Sequence, residues 1–156
     1  MEIRPYRAND RAELVAFWKR AFPEDPPHNE PNKVIEAKLR VDELIFVATE
    51  HDKIIGAVLA GYDGHRGWLY LVAVDETMRR RGLGSRLVRH VVEALKGLGC
   101  IKINLQVRPT NSEVVAFYKA LGFKVEDRIS MGLLLGNEAQ QGVPADGSRP
   151  AGEPRR

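Results

Sequence analysis

The most constraining feature of the sequence is a basic, glycine-containing segment that joins a predicted strand to a predicted helix. Residues 78–90 read MRRRGLGSRLVRH and contain five arginines and no acidic residue. The two glycines let the backbone turn tightly, so that successive N–H groups and the helix dipole favour an anion at the helix start. Arginine adds positive charge and paired donors that suit phosphate. The segment therefore predicts a phosphate or pyrophosphate site.

The residues of this segment also bear on other kinds of phosphate site and on other functions. A dinucleotide fingerprint needs G-x-G-x-x-G, but Leu87 stands at the third glycine position, and the G-K-[ST] of a Walker loop is absent. A purely structural turn remains an alternative, because Gly-Leu-Gly alone has low specificity. A nucleic-acid surface is a further alternative, but the net charge is only +3 and no aromatic residue lies among the arginines, so no nucleic-acid partner is expected.

Composition indicates one globular domain. A chain of 156 residues with 44% hydrophobic residues can form one sizeable core. No run approaches the about 18 to 20 apolar residues that a membrane span needs, and we expect no membrane partner. The single cysteine, Cys100, excludes an intramolecular disulfide and favours a reducing, cytoplasmic location. Four scattered histidines and that cysteine show no metal-ligand spacing, so no metal site is predicted.

Hydrophobic periodicity that switches between 2 and 3.6 predicts a mixed fold. The expected class is α/β (α+β), a single domain over residues 1–135 with a mixed, mostly antiparallel sheet of about seven strands flanked by about four helices. The strands are predicted over Glu2–Tyr6, Leu44–Glu50, Ile54–Tyr62, Trp68–Val74 and Ile101–Val107, with a closing hairpin of Phe123–Glu126 and Ile129–Leu135. The helices are predicted from Asp10, from Pro31, over Ser85–Leu98 and over Thr110–Leu121. Residues 136–156 are rich in Pro and Gly and are predicted to be a disordered tail.

Two motifs in this order resemble the GNAT superfamily of acetyl-CoA-dependent N-acetyltransferases. The R-R-x-G-x-G pattern after L-V-A-V resembles motif A of that family, and residues 111–123, NSEVVAFYKALGF, resemble its N-x-x-A-x-x-F-Y-x-x-L-G-F block. The resemblance covers about residues 1–135. The turn Y-D-G-H-R-G at residues 62–67 is similar to bacterial YpeA-type members, and the ribosomal-protein alanine acetyltransferases are also similar.

The resemblance implies acetyl-CoA as the acyl donor and an amine acceptor that attacks the thioester directly. It places the pyrophosphate on the amides of Arg80 to Ser85, the pantetheine arm along Val72 to Val74, and the carbonyl oxygen on an amide of that strand. Tyr118 is implied as the general acid. The cofactor-binding residues implied in this way are Val72, Ala73, Val74, Arg79, Arg80, Arg81, Gly82, Leu83, Gly84, Ser85 and Asn111.

One position departs from the alanine acetyltransferases, whose L-E-V-R motif supplies a glutamate base. This chain has Gln106 there, which cannot accept a proton at neutral pH. Neutralising a lysine amine at pH 7 costs about 4.6 kcal/mol, whereas an α-amine costs only about 1.1. The substitution therefore favours an α-amine or another weakly basic amine, unless water, Asp63, Glu50, Asp75 or Glu76 takes the proton. A non-catalytic acyl-CoA-binding module on the same fold is the alternative function, and a homodimer is compatible with the resemblance.

Overall fold

The computed structural model describes residues 1–136, and these divide into two units. The first covers Met1–Phe123, and the second begins at Lys124. The predicted disordered tail lies, from residue 137 onward, outside the described residues. Within residues 1–136, the helices are all too short or too polar to cross a membrane, and no cluster of side chains could hold a metal ion.

The first unit contains a five-stranded sheet and four α helices. The strands are β1 (Glu2–Pro5), β2 (Ile45–Glu50), β3 (Lys53–Tyr62), β4 (Arg66–Val74) and β5 (Lys102–Asn104). The helices are α1 (Arg11–Ala21), α2 (Pro31–Leu39), α3 (Leu83–Gly97) and α4 (Ser112–Ala120). The sheet order is β1-β2-β3-β4-β5; the pairs up to β4 are antiparallel, and β4 and β5 are parallel. The predicted class, a mixed and mostly antiparallel sheet with helices, is confirmed.

Helices cover both faces of the sheet because the central strands are apolar on both sides. Alternate residues of β2 point to opposite faces: Ile45 and Val47 belong to the core that contains α1 and α2, and Phe46 and Ala48 to the core that contains α3. All four are buried. The two cores fix β3 and β4 between helices, and the site described below lies along β4.

The sheet has fewer strands than the sequence indicates. Residues 123–126 and 129–135, predicted as a hairpin, carry no strand in the structure. Their side chains at Ile129, Met131 and Leu133 are exposed. Alternating hydrophobicity shows that a segment suits a half-buried strand, but it does not supply the neighbouring edge that a strand needs for hydrogen bonds. The count of about seven strands is therefore corrected to five for the described residues.

Two element boundaries also differ from the prediction. Strand β5 is only three residues long instead of spanning Ile101–Val107. Helix α4 begins at Ser112, and the cap is Asn111, whose side chain accepts a hydrogen bond from the Val114 N–H at 3.4 Å. The helix predicted from Thr110 therefore begins two residues later, because the Asn111 side chain satisfies a free amide of the first turn.

Candidate active site

The edge of β4 opens where the predicted pantetheine-binding residues lie. Among residues 1–136, the ladder between β4 and β5 covers only Arg66, Gly67 and Trp68. Beyond Trp68, β4 continues to Val74 and pairs with β3 on its other side. Backbone groups at Val72 to Val74 on the β5 side can therefore bind an extended ligand in the manner of an added strand.

A β-bulge interrupts β4 just before this open edge. Ala57 pairs with Ala73 and Leu59 pairs with Tyr70, so Leu71 and Val72 together oppose Val58. Leu71 has φ 48°, in the left-handed region where leucine is rare. An extra residue bends a strand and redirects its amides, and bulges of this kind are common beside active sites.

The glycine turn leads directly into the N-terminus of α3. Arg80 has φ 61° and Gly82 has φ 76°, so two left-handed residues turn the chain before the helix. Gly82 is the N-cap and has no side chain to bond the free amides, while the first intrahelical bond runs from the Arg86 N–H to the Gly82 carbonyl. A Cβ on Gly82 would meet no atom within 4 Å. The turn is therefore an open cradle with N–H groups at its base, which fits a pyrophosphate.

The predicted basic residues of the turn point into solvent. Arg79, Arg80 and Arg81 are all exposed, and Arg79 lies 3.9 Å from the carboxylate of Glu76. Exposed guanidinium groups can reach a charged ligand without a large desolvation cost. Leu83 differs, because its side chain is buried in the core and only its backbone can contact a ligand.

The three predicted parts of the site meet at Gly84. This residue lies inside α3, and a Cβ placed on it would be 3.3 Å from Cζ of Phe117 and 3.7 Å from Cγ2 of Val74. Strand β4, the glycine turn and α4 therefore converge within one contact distance. Of the two glycines in the turn, Gly82 has the positive φ, whereas Gly84 makes the close contact.

Tyr118 lies beside this contact point, on α4. Its side chain is 7% exposed, and its ring makes edge contacts with Phe117 at 5.0 Å and with Phe123 at 5.4 Å between ring centroids. Burial disfavours the phenolate and raises the pKa of Tyr118 to about 12. The phenol is thus protonated at neutral pH, which is the form that a general acid requires.

Asn111 is the N-cap residue of α4. Its side-chain oxygen caps α4, and the residue itself is exposed. The amide nitrogen of the same side chain can still donate to a ligand, because the cap uses the oxygen. Ser85 lies in the first turn of α3, next to the cradle.

A cavity lies on the face of the sheet that α1 and α2 cover, between α1, the segment that leads into α2 and the bulge of β4. Its volume is about 310 Å³, and it is lined by aromatic, proline and aliphatic side chains that include Trp18, Phe22 and Leu71. Asp25, Glu30 and Lys19 also line it, which gives the lining a net charge of one negative. A cavity of this character suits a small cationic or amphipathic group.

Two of the carboxylates considered as proton acceptors hold turns. The Asp63 carboxylate accepts from the N–H groups of His65 and Arg66, and that of Asp75 accepts from the hydroxyl and N–H of Thr77. These hydrogen bonds hold the pKa of each carboxyl below its usual range. A weakened base is a poor acceptor for an ammonium proton.

The other candidate acceptors are placed differently. Val58, which lies opposite the bulge, pairs with Phe46 on β2. Glu50 is four residues farther along β2 than Phe46, a distance of about 13 Å along the strand. Glu76 is exposed and lies 3.9 Å from Arg79. Gln106 is exposed and follows the end of β5.

Sequence reasoning missed the residues that join the cavity to β4. The Nε1–H of Trp18 donates to the carbonyl of Leu71 at 3.1 Å, and both residues line the cavity. Trp18 is buried in the core, but no local signal marks the left-handed φ of a leucine inside an apolar strand. Three prolines between α1 and α2 also line the cavity and stiffen its wall: Pro23, Pro26 and Pro27.

The sequence and the fold are similar to those of known acetyltransferases. The model of the acetyltransferase (GNAT) family matches residues 11–123. An acetyltransferase of Sodalis glossinidius is 38% identical over 139 residues, which cover 87% of this chain and 94% of the relative.

Solved structures show the same fold. A protein of Agrobacterium tumefaciens that is provisionally described as an acetyltransferase superposes with a TM-score of 0.72 at 27% identity and covers 86% of this chain and all of its own. The ribosomal-protein-S18-alanine N-acetyltransferase of Escherichia coli superposes with a TM-score of 0.68 at 26% identity. The match covers 79% of this chain and 77% of that enzyme. The aminoglycoside acetyltransferase AAC(6')-Iy, solved with a bisubstrate analogue of CoA, superposes with a TM-score of 0.72 at 22% identity. The match covers 84% of this chain and 95% of that enzyme.

The fold and the match to the family model define the class of protein, an acyltransferase. The chain belongs to the GNAT family of acetyltransferases. It is therefore an enzyme, and the non-catalytic alternative on this fold is not supported.

Proposed function

We propose that this acetyltransferase moves an acetyl group from acetyl-CoA to an amine by direct attack of the amine on the thioester. The observation that carries the proposal is the convergence at Gly84 of β4, the α3 cradle and α4, which puts Val74 and Phe117 within contact distance of one glycine. Every group that the reaction needs on the donor side lies on one of these three elements.

Each part of the donor has residues that fit it. The free amides from Gly82 to Ser85 would hold the pyrophosphate, and the exposed arginines Arg79, Arg80 and Arg81 would complement its charge. The open edge at Val72 to Val74 would bond the pantetheine amides. The donor side chain of Asn111 is available beside α4.

The chain's own residues account for the chemistry of the transfer. An N–H near the bulge, at Val72 or Val74, would donate to the thioester carbonyl as negative charge develops on its oxygen. Tyr118, held neutral by burial, would give its proton to the departing thiolate. When the amine nitrogen bonds to the acetyl carbon, the C–S bond breaks and the thiolate takes the Tyr118 proton. The amine then loses one proton to water, and water returns a proton to Tyr118.

We infer that the acceptor is a weakly basic amine, with an α-amine as the leading class. Two carboxylates that could serve as bases have lowered pKa values because they cap turns, and Gln106 replaces the expected glutamate. An amine of low pKa has a smaller deprotonation cost, so it reacts without a strong base. The 26% identity with the Escherichia coli S18-alanine enzyme supports an α-amine acceptor, and the similarity to YpeA-type members is part of the same proposal.

The cavity beside Trp18 is the proposed binding place for the acceptor. It shares Leu71 with the bulge, so an amine seated there is next to the donor strand. The negative balance of Asp25 and Glu30 over Lys19 would attract an ammonium group.

An acceptor panel tests the proposal. The enzyme and acetyl-CoA are mixed with an N-terminal-alanine hexapeptide, an N-terminally blocked lysine peptide, spermidine, neamine and free amino acids. Thiol release and mass spectrometry are read together. We expect acetyl gain on the α-amine peptide in amounts equal to the thiol released; acetyl-CoA turnover with no acetylated amine would contradict direct transfer.

A further inference from the structure

The indole of Trp18 is tied to the bulge of β4 by one directed hydrogen bond. Trp18 is 1% exposed on α1, and its Nε1–H donates to the backbone carbonyl of Leu71 at 3.1 Å. The two residues are 53 positions apart in the chain. The bond therefore fixes a helix to the strand residue where the backbone is most unusual.

Leu71 adopts a conformation that leucine does not favour by itself. Its φ of 48° belongs to the left-handed region, where its Cβ crowds the backbone. In bulges of this kind the left-handed position is ordinarily taken by glycine. Strained residues persist when their surroundings hold them in place, and the strain of one such residue is comparable with the free energy of one hydrogen bond.

We propose that Trp18 is a positioning residue that holds the Leu71 peptide in the left-handed conformation and thereby aims the Val72 N–H at the thioester carbonyl. Val72 follows Leu71 directly, and the two share one partner, Val58, on β3. Rotation of the Leu71 backbone toward an ordinary strand conformation would turn the next amide away from its position. The proposal rests on the proposed acetyl transfer with a β4 amide at the carbonyl.

The same side chain also faces the acceptor side. Trp18 and Leu71 both line the cavity proposed for the amine. An acceptor in that cavity would contact Trp18 and Leu71, the two residues that set the position of the Val72 N–H relative to the thioester carbonyl. Trp18 therefore connects the acceptor cavity with the donor strand.

The first experiment replaces Trp18 by its isostere benzothienylalanine, in which sulfur takes the place of the indole N–H, and by phenylalanine. Trp68→Phe is the matched control, since Trp68 lies on β4 itself and stacks on Tyr70 outside the bulge. With the acceptor selected by the panel, we expect kcat to fall at least tenfold in both Trp18 variants. KM for acetyl-CoA should stay within threefold of the wild-type value, and Trp68→Phe should keep kcat.

A backbone readout separates this proposal from the proposed function. In ¹H–¹⁵N spectra of the labelled protein, exchange of bound CoA for acetyl-CoA should shift the Val72 amide in the wild type, and this shift should be at least halved in the benzothienylalanine variant. This measurement needs no acceptor. The positioning role would be overturned if the Val72 amide of the wild type did not shift when acetyl-CoA replaced CoA. It would also be overturned if the benzothienylalanine variant kept the wild-type kcat. Neither result would contradict acetyl transfer itself.

Relief of the strain gives the second test. Glycine adopts a positive φ without crowding, so Leu71→Gly removes the need for the restraint. In the Leu71→Gly background we expect Trp18→Phe to reduce kcat by less than threefold relative to Leu71→Gly alone. An undiminished tenfold loss in that background would contradict the proposal, because Trp18 would then act through packing and not through the Leu71 conformation.

Discussion

Gly84 and Phe117 are in van der Waals proximity only because Gly84 has no side chain: an added Cβ would stand 3.3 Å from Cζ of Phe117. Gly84 belongs to the basic glycine motif and Phe117 to the second motif, so the two most informative segments of the sequence touch here. Val74, at the end of β4, lies 3.7 Å from the same Cβ position. The packing of one glycine thus fixes the distance between the anion cradle and the residue next to Tyr118.

Gly84→Val is expected to destabilise the protein through this contact. Overpacking at a tight position costs about 1 to 3 kcal/mol, whereas Gly97→Val, in the same helix but with no atom within 4 Å of its Cβ position, should change the free energy of unfolding by less than about 0.5 kcal/mol. Urea unfolding of both variants measures the difference. Equal stabilities would mean that α4 does not pack against Gly84.

Gly82→Ala is expected to weaken acetyl-CoA binding at least tenfold. Alanine at φ 76° is strained by about 1 to 2 kcal/mol, and relief of that strain would turn the free amides of α3 away from the anion. Gly64→Ala is the matched control, because Gly64 has φ 93° and equally open surroundings but lies in the turn between β3 and β4.

Calorimetric titration with acetyl-CoA and urea unfolding separate the two effects of these glycine variants. Both should lose a similar amount of stability, and only Gly82→Ala should lose affinity. Equal affinities in the two variants would remove the cradle as the pyrophosphate site.

Tyr118→Phe is expected to lower kcat at least tenfold and to leave acetyl-CoA affinity almost unchanged. The substitution removes one hydroxyl and keeps the ring contacts with Phe117 and Phe123. General acid catalysis is worth about 10²- to 10⁴-fold, so a tenfold loss is a low threshold. Pre-steady-state thiol release measures it, and wild-type rates in the variant would exclude Tyr118 as the acid.

The raised pKa of Tyr118 predicts how activity and stability depend on pH. With a folded pKa of about 12, the phenol stays protonated at neutral pH and up to about pH 10, so its ionisation should not reduce kcat in that range. The pKa in the folded state is above the unfolded value of about 10, so the folded state binds more protons between these values. Its contribution to stability is therefore complete below about pH 10 and is lost as the pH rises toward 12; Tyr118→Phe should flatten that part of the stability curve.

Local sequence patterns predicted the class of fold because each long element carries its own periodic signal. Helix α3 is an example: of the apolar residues that indicated it, Leu87, Val88, Val91, Val92 and Leu95, all are buried except Val92, which is half-buried. The closing hairpin was not found, because the same kind of pattern at Ile129, Met131 and Leu133 contains no information about a partner strand.

The sequence motifs predicted which segments form the candidate site, but not which residues of these segments touch each other. Local residue chemistry was enough to locate the cradle before α3. The separate roles of Gly82 and Gly84 were not predicted, since a sequence does not reveal which glycine has the positive φ and which makes a close contact. The Trp18–Leu71 bond joins residues 53 positions apart and depends on a bulge, so no local pattern could indicate it.

Gln106→Glu tests the proposed preference for weakly basic amines. If position 106 faces the acceptor, as the resemblance implies, a carboxylate there should raise turnover of a lysine-type amine more than that of an α-amine, because the lysine has the larger deprotonation cost. Rates with one acceptor of each type, measured against pH, decide it. An equal gain for both amines, or none, would mean that the proton leaves by another route.

A single-turnover experiment tests direct acetyl transfer at this site most directly. Enzyme in excess is loaded with acetyl-CoA and mixed rapidly with an N-terminal-alanine peptide, and the reaction is quenched and analysed for free thiol, acetylated peptide and acetylated enzyme. Direct attack predicts that thiol and acetyl-peptide appear at the same rate and in equal amounts, with no acetyl group on the enzyme, and that Tyr118→Phe slows both together. Thiol release that precedes peptide acetylation, with acetyl groups on the enzyme in between, would contradict the account.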